Sequence, residues 1–240
     1  MWYMGSKSKI SKDIVPIIQS YINESTMSYV EPFVGGCNVI DKIKCNKKIG
    51  ADINRYLIEL LIHARDCPLD FPKSISQEEY MDVKNNKERY DTWYVGLVGF
   101  CASFGAKFFG GYARNAIGDN SGVRAQSAIN NILKQSTKIQ DVELKCCSYS
   151  ELNILDGSVI YCDIPYKGTT DYSGSKFDYN EFYTWCIEMS KNNVVLISEY
   201  SMPDEFECIY EKKVTVELDS NRKSKKDNKE RTEKIYIVRK

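Results

Sequence analysis

The chain has 240 residues, with 33 Lys and Arg set against 33 Asp and Glu, so its formal net charge is zero. That balance excludes a uniformly basic nucleic-acid coat, and 42% apolar with 28% charged residues excludes disorder throughout. No apolar run approaches the roughly 18 residues of a membrane span, and no long apolar segment follows the first charges, so neither a bilayer helix nor a secretory signal is expected. The length fits one or two domains.

The nine cysteines contain no C-x-x-C pair and read as small buried hydrophobes of a cytoplasmic protein. No clustered metal-ligand spacing stands out, so no metal is expected. The one histidine, His63, falls mid-helix without a nucleophile motif, which argues against a Ser/His or Cys/His hydrolase.

In chain order, residues 28–34 read as a short strand broken by Gly35-Gly36. Asn38 is expected to cap a short helix reaching Lys44. Residues 48–52 read as a second strand ending on Asp52. Asn54 caps a helix over 55–65, with Leu57, Leu60, Leu61 and Ala64 on one face. This is the opening of a doubly wound α/β fold.

From 67 to 139 strand patterns fade and Tyr, Phe and Gly accumulate. Residues 123–138 read as a helix with Ala125, Ala128, Ile132 and Leu133 apolar. This stretch is expected to be an inserted, mainly helical subdomain, and residues 84–145 carry a net charge of +4. Strand patterns return at 142–147, 158–163, 193–198, 207–218 and 233–238, with a helix at 180–191 and a solvated basic loop at 222–231. The last 22 residues carry +5, so everything outside these two basic segments is net −9.

Two motifs carry chemistry. Glu31-Pro32-Phe33-Val34-Gly35-Gly36-Cys37-Asn38 joins a strand to a turn in which glycines let a ligand approach the backbone. Asp52 follows at the end of the next strand, where doubly wound folds place a carboxylate on ribose hydroxyls. Asp163-Ile164-Pro165-Tyr166 ends the apolar strand Val159–Cys162. Asp163 is a charged acceptor. Pro165 keeps Ile164 out of helical geometry, so its carbonyl can project as a second acceptor, and Tyr166 offers a face for stacking a base. Two converging acceptors suit an exocyclic amine, whose nucleophilicity rises when both N–H groups are engaged. Each motif alone also fits a plain turn.

Together, and in this order, they resemble the D12 class of N6-adenine DNA methyltransferases, the Dam family. Tyr3 through Lys7 is similar to that family's N-terminal motif. Glu31–Asn38 resembles its E-P-F-x-G turn, Asp52-Ile53-Asn54 its D-x-N, Ser148-Tyr149 its cofactor-adenine contact, and Asp163–Tyr166 its D-P-P-Y. The resemblance implies a Rossmann-like S-adenosylmethionine-dependent methyltransferase sheet (1–66 and 140–240) with a helical target-recognition subdomain (67–139). It implies that Tyr3, Lys7, Phe33, Gly35, Gly36, Asp52, Ser148 and Asp163 line the cofactor, and that Asp163, Ile164, Pro165 and Tyr166 act on adenine N6 of a base flipped from duplex DNA. Two positions depart from the family: Ile164 replaces a proline, and Cys37 stands where glycine is frequent and would be strained at positive φ.

Lys107, Arg114 and Arg124 are the expected DNA contacts of the insert, although most of its aromatics are expected to form its core. The chain is expected to be a cytoplasmic monomer, nucleoid-associated when bound, with a dimer on DNA as the alternative. Two other functions remain: methylation of another amino or amide nitrogen in RNA or protein, and a catalytically silent DNA-binding module.

Overall fold

A computed structural model describes residues 1–114, 123–166, 177–216 and 229–239. Seven strands are β1 (Tyr29–Glu31), β2 (Lys48–Asp52), β3 (Val142–Cys146), β4 (Val159–Asp163), β5 (Val194–Ser198), β6 (Phe206–Val216) and β7 (Lys229–Val238). They form one sheet in the order β3-β2-β1-β4-β5-β7-β6. The first five pair in parallel, and β7 runs antiparallel to both β5 and β6. The order reverses between β1 and β4, and a crevice at the carboxyl ends of such strands is where doubly wound sheets bind ligands. This is the expected Rossmann-like α/β architecture.

Both faces of the sheet are covered, which is why its central strands read as nearly continuous apolar runs. Alternation assigns each side chain to a face. Tyr29, Tyr161 and Leu196 join one apolar cluster with α1 (Ser11–Ser20), α2 (Arg55–Asp66), α4 (Thr92–Cys101) and α5 (Val123–Ser136). Val30, Ile160, Cys162, Val195 and Ile197 join the other, with Phe182 and Cys186 of α6 (Tyr179–Met189). Asn54 caps α2 as expected, its Oδ1 accepting from the backbone N–H groups of Tyr56 and Leu57 at 3.1 and 3.3 Å.

Several expected elements differ. No α-helix runs from Asn38 to Lys44; a single 3-10 turn covers Ile40–Lys42, and the Asn38 amide instead donates to the Met1 carbonyl at 3.0 Å. Helix α1 was not anticipated because Pro16 lies inside it, yet burial of Ile14 and Ile18 holds it to the sheet. Lys229, Glu230 and Arg231, expected in a loop, belong to β7, paired with Val216, Thr215 and Val214. The rest of that basic run, 222–228, lies outside the described residues.

The 67–139 segment is helical, with α3 (Gln77–Asn85), α4 and α5. Its helices α4 and α5 share the apolar cluster of α1 and α2, so they pack on the sheet's own core. Helix α4 is buried from Val95 to Cys101, which leaves no polar face for a periodic pattern to reveal. It meets α2 closely at Gly96, where an added Cβ would lie 2.1 Å from the Tyr56 carbonyl oxygen.

Candidate active site

The loop after β1 is shaped by close contact. Gly35 has φ +48°, and Cys37, fully buried, has φ +56°. The strain foreseen for Cys37 is therefore present. Its N–H donates to the Val34 carbonyl at 2.9 Å, and its carbonyl accepts from Gln135 Nε2 at 2.7 Å, two bonds that hold the left-handed turn in place. A Cβ on Gly36 would lie 2.8 Å from Tyr3 Cβ and 2.7 Å from Asn38 Nδ2, so only glycine fits beneath Tyr3. The Tyr3 ring lies over Gly35 and packs at 5.7 Å from Phe100.

Asp52 ties this loop to the second motif. One carboxylate oxygen accepts from Gly35 N–H at 3.3 Å, the other from Asn54 N–H at 2.9 Å. Burial raises its pKa, and these two backbone donors oppose the rise. Each oxygen retains a lone pair for a further donor. Ile53, beside it, is 60% exposed, an apolar surface at the strand end. Ser148 lies two residues beyond Cys146, which pairs with Asp52 across β3 and β2. Its hydroxyl caps the turn Tyr149–Glu151, and its N–H donates to Glu151 at 2.7 Å. Phe33 is partly buried in an aromatic cluster with Tyr149, Phe177 and Phe182, at centroid distances of 5.5, 5.9 and 5.7 Å.

The carboxyl end of β4 holds a compact charged group. Lys7 Nζ lies 2.8 Å from Asp163 Oδ1 and 3.6 Å from Glu233 Oε2. The same Glu233 oxygen accepts from the Tyr166 hydroxyl at 2.8 Å, and Lys7 Nζ sits 4.3 Å from the centroid of the Tyr166 ring. Burial pulls the Lys7 pKa down, but Asp163 and Glu233 together outweigh it and hold the ammonium charged. Burial raises Asp163, Lys7 opposes, and Glu233 adds repulsion. Tyr166 is pushed far up by burial and the two neighbouring carboxylates, so it stays a neutral phenol. Ile164 is buried in the apolar cluster beside α6, where a branched side chain fills space, and the Pro165 carbonyl accepts from the Tyr179 hydroxyl at 2.9 Å.

Asp163, Tyr166 and Lys7 are thus brought together, and Tyr3, Gly35, Gly36 and Asp52 form a second group joined through the glycine loop. Lys7, expected beside the cofactor, is bonded to Asp163. Glu233 was missed: it lies near the start of the last strand amid basic residues, and only the reversed pairing of β7 brings it here. Glu31 also belongs to this edge. It is fully buried, accepts from the Tyr29 hydroxyl at 2.7 Å, and is raised by burial to about 8, with Asp163 adding repulsion. Its place in the quoted motif was the signal.

Lys107, Arg114 and Arg124 are all exposed, and none forms an ion pair among the described residues. The loop holding Lys107 is strained, with positive φ at Ala106 and Phe109, and it is closed by Phe104 N–H donating to the Gly111 carbonyl at 2.8 Å. Phe100 is core, as expected of these aromatics, whereas Phe104 is 57% exposed. No helix among the described residues is long and apolar enough to cross a membrane.

Residues 3–96 match the family model described as D12 class N6 adenine-specific DNA methyltransferase. The chain is 28% identical to the type II methyltransferase M.FokI of Planomicrobium okeanokoites, over 76% of this chain and 31% of that protein. It is 27% identical to the modification methylase StsI of Streptococcus sanguinis, over 75% of this chain and 30% of that protein. It therefore spans about a third of the length of these curated relatives.

Proposed function

We propose that this chain, whose residues 3–96 match the model of the D12 class N6 adenine-specific DNA methyltransferases, transfers a methyl group to adenine N6 in duplex DNA. The observation that carries the reading is the Asp163–Lys7–Glu233–Tyr166 group at the end of β4, next to the glycine loop and Asp52 at the ends of β1 and β2.

The residues fit S-adenosylmethionine. Asp52 keeps acceptor capacity for ribose hydroxyls, exposed Ile53 offers an apolar surface beside it, and the glycine loop under Tyr3 provides a close backbone approach. The cofactor, when bound, supplies a methyl carbon activated on a sulfonium. Ser148 and Phe33 are assigned to the adenine and methionine sides of this site.

Asp163 and the Ile164 carbonyl accept the two N–H donors of the target amine, which frees the nitrogen lone pair for attack. With that donor bound, the amine nitrogen would take the methyl carbon as its bond to sulfur breaks, and Asp163 would receive the proton the amine then sheds, passing it to solvent. Positioning of the two reactants supplies much of the rate. The base reaches the pocket by flipping, at a cost of a few kcal/mol, and stacking on Tyr166 returns about 1–3 kcal/mol. Lys7 now sits over that ring, so it moves aside as the base enters.

Lys107, Arg114 and Arg124 contact DNA, and the 67–139 segment is the recognition unit although it shares the sheet's core. The same modification role as in the relatives is extended to this chain. We assign it as a cytoplasmic monomer.

Asp163→Ala is expected to abolish methyl incorporation into duplex DNA with circular dichroism unchanged; retained transfer overturns the assignment. Competition among duplex DNA, RNA and protein separates the reading from methylation of another nitrogen. The silent-module reading rests on the Cys37 and Ile164 departures; cofactor binding by calorimetry with no methylation of any duplex tested would favour it.

A further inference from the structure

We propose that His63, Cys67 and Asp70 form a binding site for one divalent transition-metal ion of the zinc class, distant from the methyl-transfer site. The three are the described group whose ligand atoms, imidazole nitrogen, thiol sulfur and carboxylate oxygen, all lie within 4.8 Å of one another.

The local fold makes this group. His63 is in the last turn of α2, and Cys67 follows four residues on as the capping residue, its N–H donating to the His63 carbonyl at 2.8 Å. One helical turn therefore sets the two on the same face. Pro68–Asp70 then forms a 3-10 turn, closed by Asp70 N–H to the Cys67 carbonyl at 3.2 Å. That reversal returns the Asp70 carboxylate to 3.2 Å from His63 Nε2.

Three independent features point to a cation. His63 Nε2 is excluded from solvent and makes no hydrogen bond among the described residues, although Asp70 lies so near. A buried ring nitrogen that faces a carboxylate without a well-formed hydrogen bond is costly, and a metal ion held between the two satisfies both. The imidazole is also held rigid, stacked on Trp93 at 3.6 Å with 7° between planes and flanked by Phe71 at 6.0 Å. Ordering a ligand in advance removes part of the entropy cost of binding. Finally, the group sits at the carboxyl end of α2, where the helix dipole favours positive charge.

The donor set selects the metal. Nitrogen, sulfur and oxygen together suit zinc and its neighbours, whereas magnesium and calcium take oxygen alone. Bonds of roughly 2.0–2.3 Å put tetrahedral ligand atoms about 3.3–3.6 Å apart, so the widest pair must close by at most about 1.2–1.5 Å. Cys67 and Asp70 are both exposed and have room to do so. Three protein ligands leave a fourth position for water. The clip would fasten the end of α2 to the turn after it and, through the stacked imidazole, to Trp93 on α4. Sequence reading saw no metal spacing because three ligand types are spread over eight residues and across a helix end.

The test is titration of the purified chain with Co2+ alone. A thiolate-to-cobalt absorption band in the near ultraviolet that saturates at one equivalent is expected. Cys67→Ser should abolish the band, and Asp70→Asn should weaken binding by roughly tenfold or more. Both positions are exposed, so both variants should fold. Zn2+ should raise the melting temperature, EDTA should reverse the rise, and Cys67→Ser should lack it. Absence of a band in the unaltered chain overturns the proposal. So does an unchanged band in Cys67→Ser, which would assign the signal to Cys146 or Cys208, the other exposed thiols.

Discussion

Replacing Lys7 by Met keeps a side chain of similar length and removes the one cation from a buried group of two carboxylates. The lost attractions are large. At an effective dielectric of about 20, contacts of 2.8 and 3.6 Å correspond to roughly 6 and 5 kcal/mol. The ammonium's own burial cost offsets much of this, so the expected loss of stability is the about 3–5 kcal/mol typical of breaking one side of a buried ion pair. That loss must depend on pH. Burial already raises Asp163, and Lys7 is what opposes the rise. Without Lys7 its folded pKa climbs further above the unfolded value of about 3.9. An acid shifted that way loses stability as pH rises from the unfolded pKa to the folded one. Urea denaturation at pH 5 and pH 8 should therefore show a full penalty at pH 8 and a clearly smaller one at pH 5. Equal penalties at the two pH values, or less than about 1 kcal/mol at pH 8, would refute the reasoning.

Gly96→Ala sets two effects against each other. Helix propensity favours alanine by about 1 kcal/mol, but the 2.1 Å approach to the Tyr56 carbonyl forces α2 and α4 apart, at a cost near the upper end of the about 1–3 kcal/mol usual for overpacking. A net loss in urea midpoint is expected, and a gain shows that the helices separate freely. Glu31→Gln keeps an acceptor for Tyr29 and cannot ionise. Because Glu31 is raised to about 8, the unaltered chain loses stability from the ordinary carboxylate range up to that value. The variant should gain on it more at pH 8 than at pH 5, and equal gaps contradict this. Asn54→Ala should cost about 1 kcal/mol by removing the α2 cap, read by thermal denaturation. Lys107→Ala, Arg114→Ala and Arg124→Ala should each weaken duplex binding at all sequences and reduce the salt slope by about one; an unchanged slope removes that residue from the interface.

What was readable in the sequence is what local chemistry dictates. Asp52 and Asp163 each end an apolar strand, and Asn54 precedes a helical pattern, so all three positions follow from short-range signals. Glu233 has no such signal. Its role depends on β7 running backward between β5 and β6, with Ser198 paired to Ile235, a register set by tertiary pairing. Pro16 concealed α1 because a breaker inside a helix is outweighed only by packing. The wholly buried α4 carried no periodicity to detect. Cys37 was foreseen only conditionally: residue type gives the cost of a left-handed turn but cannot say whether neighbouring hydrogen bonds will enforce it.

The charged group at the end of β4 draws on residues 7, 163 and 233, nearly the full span of the chain. During synthesis Lys7 and Asp163 emerge long before the carboxylate that completes their arrangement. Until β7 is made, β5 also presents an open strand edge, a template for wrong pairing. Contacts this far apart in sequence close late. A chain interrupted before β7 therefore holds the glycine loop, Asp52 and Asp163 yet lacks Glu233, so the charged group is complete only once the last hairpin has docked.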